Sequence, residues 1–125
     1  MASRVRRPKL RVLVVDEDLG FRTRFCDILG EWHCAALPVA SGGEAIEALR
    51  RRRVDVVLLA LNMSMMDGAE TLREIKRLAP GLPVIMTNTL MTPILARRLR
   101  EDGAQGFLVK PVESQTLAVA LLPYV

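Results

Sequence analysis

The chain has 125 residues, half of them hydrophobic and 26% charged, with a net charge of +4. That length gives one domain with a core that needs no disulfide staple, and the composition excludes a disordered chain. No apolar run approaches the ~20 residues of a membrane span, and the basic start precedes too short an apolar segment for a signal peptide, so the cytoplasm is the expected location.

Residues 1–8 read as a basic tail and residues 9–125 as the domain. Residues 9–16 are a short apolar run closed by acids, hence a first buried strand, with Asp16, Glu17 and Asp18 at its carboxyl end. A helix is predicted over residues 18–32, because Phe21, Phe25, Ile28, Leu29 and Trp32 fall at offsets 0, 4, 7, 8 and 11. Residues 34–39 make a second, weaker strand. Ser41 and Glu44 form a capping box for a second helix that buries Ala45, Ile46 and Leu49 and ends in the arginines of 50–53. Residues 54–61 are the third strand. Its unbroken apolar stretch from 56 to 61 is what a central parallel strand, buried on both faces, requires.

A loop with Met63, Met65 and Met66 leads to Asp67-Gly68, a turn and helix-start signal. The third helix is expected to turn Leu72, Ile75 and Leu78 inward and to stop at Pro80-Gly81. Residues 83–87 form a fourth strand, leaving Thr87, Asn88 and Thr89 at its carboxyl end. Thr92-Pro93 is an N-cap with a proline in the first turn, and Gly103 ends the helix it opens. Residues 106–109 are a fifth strand, followed by Lys110-Pro111 and a last helix over 113–122. Such alternation predicts an α/β fold, a doubly wound parallel sheet with helices on both faces and right-handed crossovers.

Cys26 and Cys34 stand alone, too few for a zinc site, and read as free buried thiols. His33 has no nucleophile paired with it and reads as structural. A pI near 9.7 invites a nucleic-acid reading, but the cations lie apart: in the tail, at 50–53, and at Arg97, Arg98 and Arg100. Cations favour helix C-termini for dipole reasons alone, and only five aromatics are available to stack on bases. Solvated faces account for them better.

In open parallel sheets, chemistry gathers at the carboxyl ends of the strands. Here those ends carry Asp16 and Glu17, Ala60, Asn88 and Lys110. This constellation, with Val14-Val15-Asp16-Glu17-Asp18, the run from Leu58 to Gly68, Pro83-Val84-Ile85-Met86 and the run from Gly103 to Pro111, strongly resembles the receiver domain of two-component response regulators. The resemblance covers residues 10–122 and implies a flavodoxin-like five-stranded sheet in the order 2-1-3-4-5.

It also implies roles. An acidic pair matching Asp16 and Glu17 would hold Mg²⁺, with the backbone of Asn62. An aspartate ending the third strand would accept a phosphoryl group from a histidine kinase. A serine or threonine and a lysine would contact the phosphoryl oxygens, an aromatic matching Phe107 would switch rotamer, and Lys110-Pro111 would be joined by a cis peptide.

Three positions depart from that pattern. Ala60 stands at the acceptor position, Asn88 replaces the hydroxyl residue, and Ser64 replaces the usual proline. Phosphotransfer needs a carboxylate nucleophile, which a methyl cannot supply, and Mg²⁺ loses one of its oxygens. Asp67, seven residues on, belongs to a helix start instead. Each residue also has a plainer role: Asp16 and Glu17 as helix-start charges, Lys110 as their counter-ion, Phe107 as core, and the methionines as gap-fillers or an adaptable surface.

The expected function is therefore a degenerate receiver that takes no phosphoryl group, is no enzyme, and binds no cofactor beyond weak Mg²⁺. It would act as a phosphorylation-independent interaction module. Its partner would be a protein or a second copy docking on the fourth helix, fifth strand and fifth helix, with a histidine kinase or an output domain as candidates. Membrane and nucleic acid are not expected partners. Two other readings stay open: an ordinary phospho-accepting receiver with an engineered Asp to Ala change at position 60, and a small nucleic-acid binder resting on pI alone. Lys110 is expected to pair with Asp16 or Glu17 in place of Mg²⁺, and Ala60→Asp to restore Mg²⁺ binding.

Overall fold

The computed structural model describes residues 10–125; the basic tail expected at residues 1–8 lies outside the described residues. Five strands, β1 (Arg11–Val15), β2 (Ala35–Val39), β3 (Val56–Ala60), β4 (Val84–Asn88) and β5 (Gly106–Val109), alternate with five helices. These are α1 (Leu19–Glu31), α2 (Gly42–Arg51), α3 (Gly68–Leu78), α4 (Pro93–Glu101) and α5 (Ser114–Leu121), with a 3₁₀ turn at Leu122–Tyr124. All four pairings are parallel and the order is β2-β1-β3-β4-β5, as the resemblance implied.

The near-continuous apolar strands sort their side chains by parity, since successive residues point to opposite faces. Leu13, Val15, Val57, Leu59, Val84 and Met86 pack on one face with Ala45 and Ile46 of α2, Leu72 and Ile75 of α3, and Leu99 of α4. Val12, Val14, Val56, Leu58 and Ile85 pack on the other with Phe25, Ile28 and Leu29 of α1 and Leu117 and Leu121 of α5. β3 and β4 are buried along their whole length.

The caps are those the sequence calls for. Asp18, Ser41, Asp67 and Thr92 each accept a hydrogen bond from the backbone N–H three residues on. Glu44 reaches back to the N–H of Ala40, one residue before the cap itself. Two expectations need correction. Leu78 is exposed, and Thr71 is buried in its place, its hydroxyl bonded to the Asp67 carbonyl; the inward stripe of α3 is 68, 71, 72 and 75, which ends one turn before Leu78. Cys26 and Cys34 are half-buried rather than buried.

α3 starts in hard contact with β3. A Cβ on Gly68 would collide with the Ala60 carbonyl and the Leu61 backbone, so only glycine lets the helix begin so close to the strand end. At the opposite, amino rim of the sheet, Arg11 joins Arg51, Arg52 and Arg53 around one cleft. No helix among the described residues is long and apolar enough to cross a membrane.

Candidate functional site at the carboxyl rim

β1 delivers Asp16 to the carboxyl rim with its side chain only 3% exposed. One carboxylate oxygen accepts the Asp18 N–H at 3.0 Å, the turn that starts α1. The other lies 2.6 Å from Nζ of Lys110, whose side chain is 9% exposed. The contact is an ion pair between two buried charges. Lys110 reaches the rim because β5 ends beside β4: its N–H donates to the Asn88 carbonyl at 2.7 Å. The same Nζ sits 4.1 Å above the Phe21 ring of α1, so carboxylate and aromatic face share one cation.

Glu17, exposed and next in the chain, is held differently. Its two oxygens accept from Ser64, in the β3–α3 loop: the backbone N–H at 3.1 Å and the hydroxyl at 2.8 and 3.0 Å. Arg22, one turn into α1, donates to the carbonyls of Asp16 at 2.8 Å and Glu17 at 3.3 Å, fixing the backbone between the two acids.

Ala60 ends β3 opposite Thr87 of β4, 1% exposed, and offers no side-chain donor or acceptor. Asn88, 8% exposed, accepts from the Asn62 amide at 3.1 Å and donates to the Leu90 carbonyl at 2.7 Å. Turning the Asn88 amide over would set like dipoles against both partners, so the network fixes its orientation. Asp67 is occupied as the cap of α3, accepting from Glu70 at 2.8 Å. Among the described residues, no group of three or more His, Cys, Asp or Glu is placed to hold a metal ion.

Residues 12–122 match the family of the response regulator receiver domain as a whole. The chain belongs to that family.

The receiver is similar to the transcriptional regulatory protein ZraR of Escherichia coli O157:H7, 34% identical over 110 residues that make up 88% of this chain and 25% of that protein. It is also similar to the transcriptional regulatory protein GlrR of Escherichia coli K12, 32% identical over the same share of each chain. The receiver thus spans about a quarter of the length of the curated relatives it matches. Among solved structures it superposes on the chemotaxis protein CheY4 of Vibrio cholerae with a TM-score of 0.89 at 27% identity, covering 93% of this chain and 98% of that one. The receiver domain of NtrX from Brucella abortus gives 0.84 at 27% identity, covering 90% and 96%.

Of the residues singled out in the sequence, Asp16 and Lys110 are in contact, and Lys110-Pro111 is a cis peptide. Glu17 does not pair with Lys110; its partner is Ser64. Phe107 is half-buried against the α2–α3–α4 core, with the Arg100 guanidinium 4.9 Å above its ring. The methionines divide: Met63 is buried, Met66 half-buried, and Met65 is 93% exposed. His33 sits past the end of α1 with φ of 60°, a left-handed turn residue, and Cys26 has its thiol pushed up by burial and by Asp27 beside it. Neither has a place at the rim.

Phe21, Arg22 and Ser64 were not among the residues singled out as site members. Phe21 was visible only as the first member of the α1 stripe. Ser64 stands out in the sequence as a departure from proline, and the N–H and hydroxyl that this departure adds are the signal of its role.

Proposed function

We propose that this receiver is a phosphorylation-independent interaction module of a two-component system, one that takes no phosphoryl group. Ala60 carries the reading. At the end of β3, where the family's acceptor aspartate would stand, there is a buried methyl, and a methyl cannot attack phosphorus. No neighbouring carboxylate is idle: Asp16 faces Lys110, Glu17 faces Ser64, and Asp67 caps α3. The donor set also suits Mg²⁺ poorly. That ion wants near-octahedral oxygen ligation and sheds water reluctantly, whereas here an ammonium already stands against the buried acid.

A single engineered change at position 60 would leave Ser64 and Asn88 without a reason. Each instead makes bonds that a proline, or a hydroxyl residue, could not make in the same way. That favours natural degeneracy over an engineered active receiver. The test is incubation with acetyl phosphate and Mg²⁺ followed by intact mass. No adduct is expected, and an adduct on any aspartate would overturn the reading.

The contact surface we assign is the face of α4, β5 and α5. Ile94, Val109 and Val119 are exposed, one on each of these elements, and Arg97 and Arg98 are exposed on α4. Asp102 pairs with Arg73 of α3, and Arg100 lies over Phe107. Exposed apolar side chains together with exposed cations fit a protein partner, an output domain or a second copy. Ile94→Ser with Arg97→Glu is expected to weaken any association of the receiver at least tenfold; unchanged association would place the interface elsewhere.

A further inference from the structure

We propose that Ser64 replaces a cation at Glu17, latching the β3–α3 loop to the end of β1, and that this latch is a second barrier to divalent metal besides Ala60. The inference rests on the reading of the rim given above and extends it to a residue with no part in phosphotransfer chemistry.

The geometry is specific. One residue, 47 positions along the chain, supplies both a backbone N–H and a hydroxyl to one carboxylate. Its single hydroxyl proton is shared between two oxygens at 2.8 and 3.0 Å while the N–H reaches one of them at 3.1 Å. Hydrogen bonds to an ionised acceptor are the stronger kind, and a backbone and a side-chain donor on one residue act as a clamp. A proline at position 64, the residue the family pattern puts there, has neither donor. The substitution is therefore not a neutral drift in a loop but the source of both bonds.

The two acids are held by independent means, and this decides what a single reversion can do. An aspartate at position 60 would give Lys110 a second carboxylate to pair with and so release Asp16. It would do nothing for Glu17, which stays bound to Ser64. A metal ion entering the rim would still have to break that clamp. Ser64 is thus a positioning residue: it holds the loop closed in the absence of metal, and it withholds an oxygen ligand from any metal that arrives.

The test uses Mg²⁺ alone, titrated by calorimetry into Ala60→Asp, Ala60→Asp with Ser64→Ala, and Ala60→Asp with Ser64→Pro. Calorimetry is the right readout because Trp32 caps the far end of α1, about 20 Å along a 13-residue helix from the rim. Affinity is expected to rise in that order, with the proline variant at least tenfold tighter than Ala60→Asp alone and the alanine variant between them. Equal affinities in the three variants would overturn the proposal. Should the proline variant fail to fold, the alanine variant decides: an affinity equal to that of Ala60→Asp alone overturns it. A second readout is hydrogen exchange in the unmodified chain. The Ser64 amide is expected to be protected at least tenfold over Met65, and loss of that protection is expected in Glu17→Gln with Ser64→Ala; an unprotected Ser64 amide in the unmodified chain would also overturn it. A phosphoryl adduct on the unmodified chain would instead defeat the functional reading, and is measured separately.

Discussion

Asp16 and Glu17 are neighbours in the chain, yet different chemistry holds each: a cation for Asp16, neutral donors for Glu17. Asp16 is buried against Lys110, and breaking such a pair leaves an uncompensated charge. Lys110→Ala is therefore expected to destabilise the fold by about 1–3 kcal/mol in urea unfolding, more than an exposed lysine would. Adding Asp16→Asn to Lys110→Ala is expected to recover part of that loss; if Lys110→Ala alone were neutral, the pair would not be electrostatically strained by its loss. This contact was legible in the sequence, because strand ends meet at one rim whatever the details. The share of Phe21 in it was not, since that depends on how α1 is rotated about its axis. At Cys26, burial and Asp27 hold the thiol protonated, and the thiolate is the reactive form. Alkylation of Cys26 at pH 8 is expected to run slower than that of a free cysteine in a peptide, as followed by mass spectrometry, and to quicken when the protein is unfolded; equal rates would show the thiol to be open.

The elements were read from periodicity and caps, and their order and type agree with the structure to within one or two residues at most ends. Where the reading slipped, the reason is local. Leu78 continues a helical spacing in the sequence, but it is the last residue of α3, past the buried stripe, and stays 37% exposed. The role of Gly68 was equally hidden. Asp67-Gly68 signals a helix start, which is true, yet the glycine is required because α3 begins against the carbonyl of Ala60. Gly68→Ala, harmless to helix propensity, is expected to cost about 1–3 kcal/mol through overpacking against backbone that cannot yield. Gly81→Ala is the control, because a Cβ there meets nothing within 4 Å. Similar unfolding midpoints for the two variants would remove the packing argument.

Across the whole molecule, every strand runs the same way and each helix returns antiparallel to it. Helix starts therefore collect at the carboxyl rim and helix ends at the amino rim. Capping acids such as Asp18 and Asp67 mark the first, and terminal cations such as Arg50, Arg51, Lys76 and Arg77 mark the second. The sequence showed these cations as separate runs; the fold brings Arg11 to those at the end of α2. Pairing at the rim is partial, with Glu47 serving both Arg50 and Arg51, and Asp55 lying 4.0 Å from Arg53.

The arginine cleft at the amino rim has a consequence for how the protein meets a charged surface. A five-residue strand is about 17 Å long, roughly twice the screening length at physiological salt. The two rims are thus electrically separate, and a charged surface meets unlike ends rather than a uniform net charge of +4. On a cation exchanger it is expected to lie amino rim down. Arg52→Gln with Arg53→Gln and Met65→Glu with Thr89→Glu each lower the net charge by two, from +4 to +2, but at opposite ends. The arginine pair is expected to elute at clearly lower salt than the glutamate pair. Identical elution would mean that the resin sees only the total, and that the ends of this protein do not face it differently.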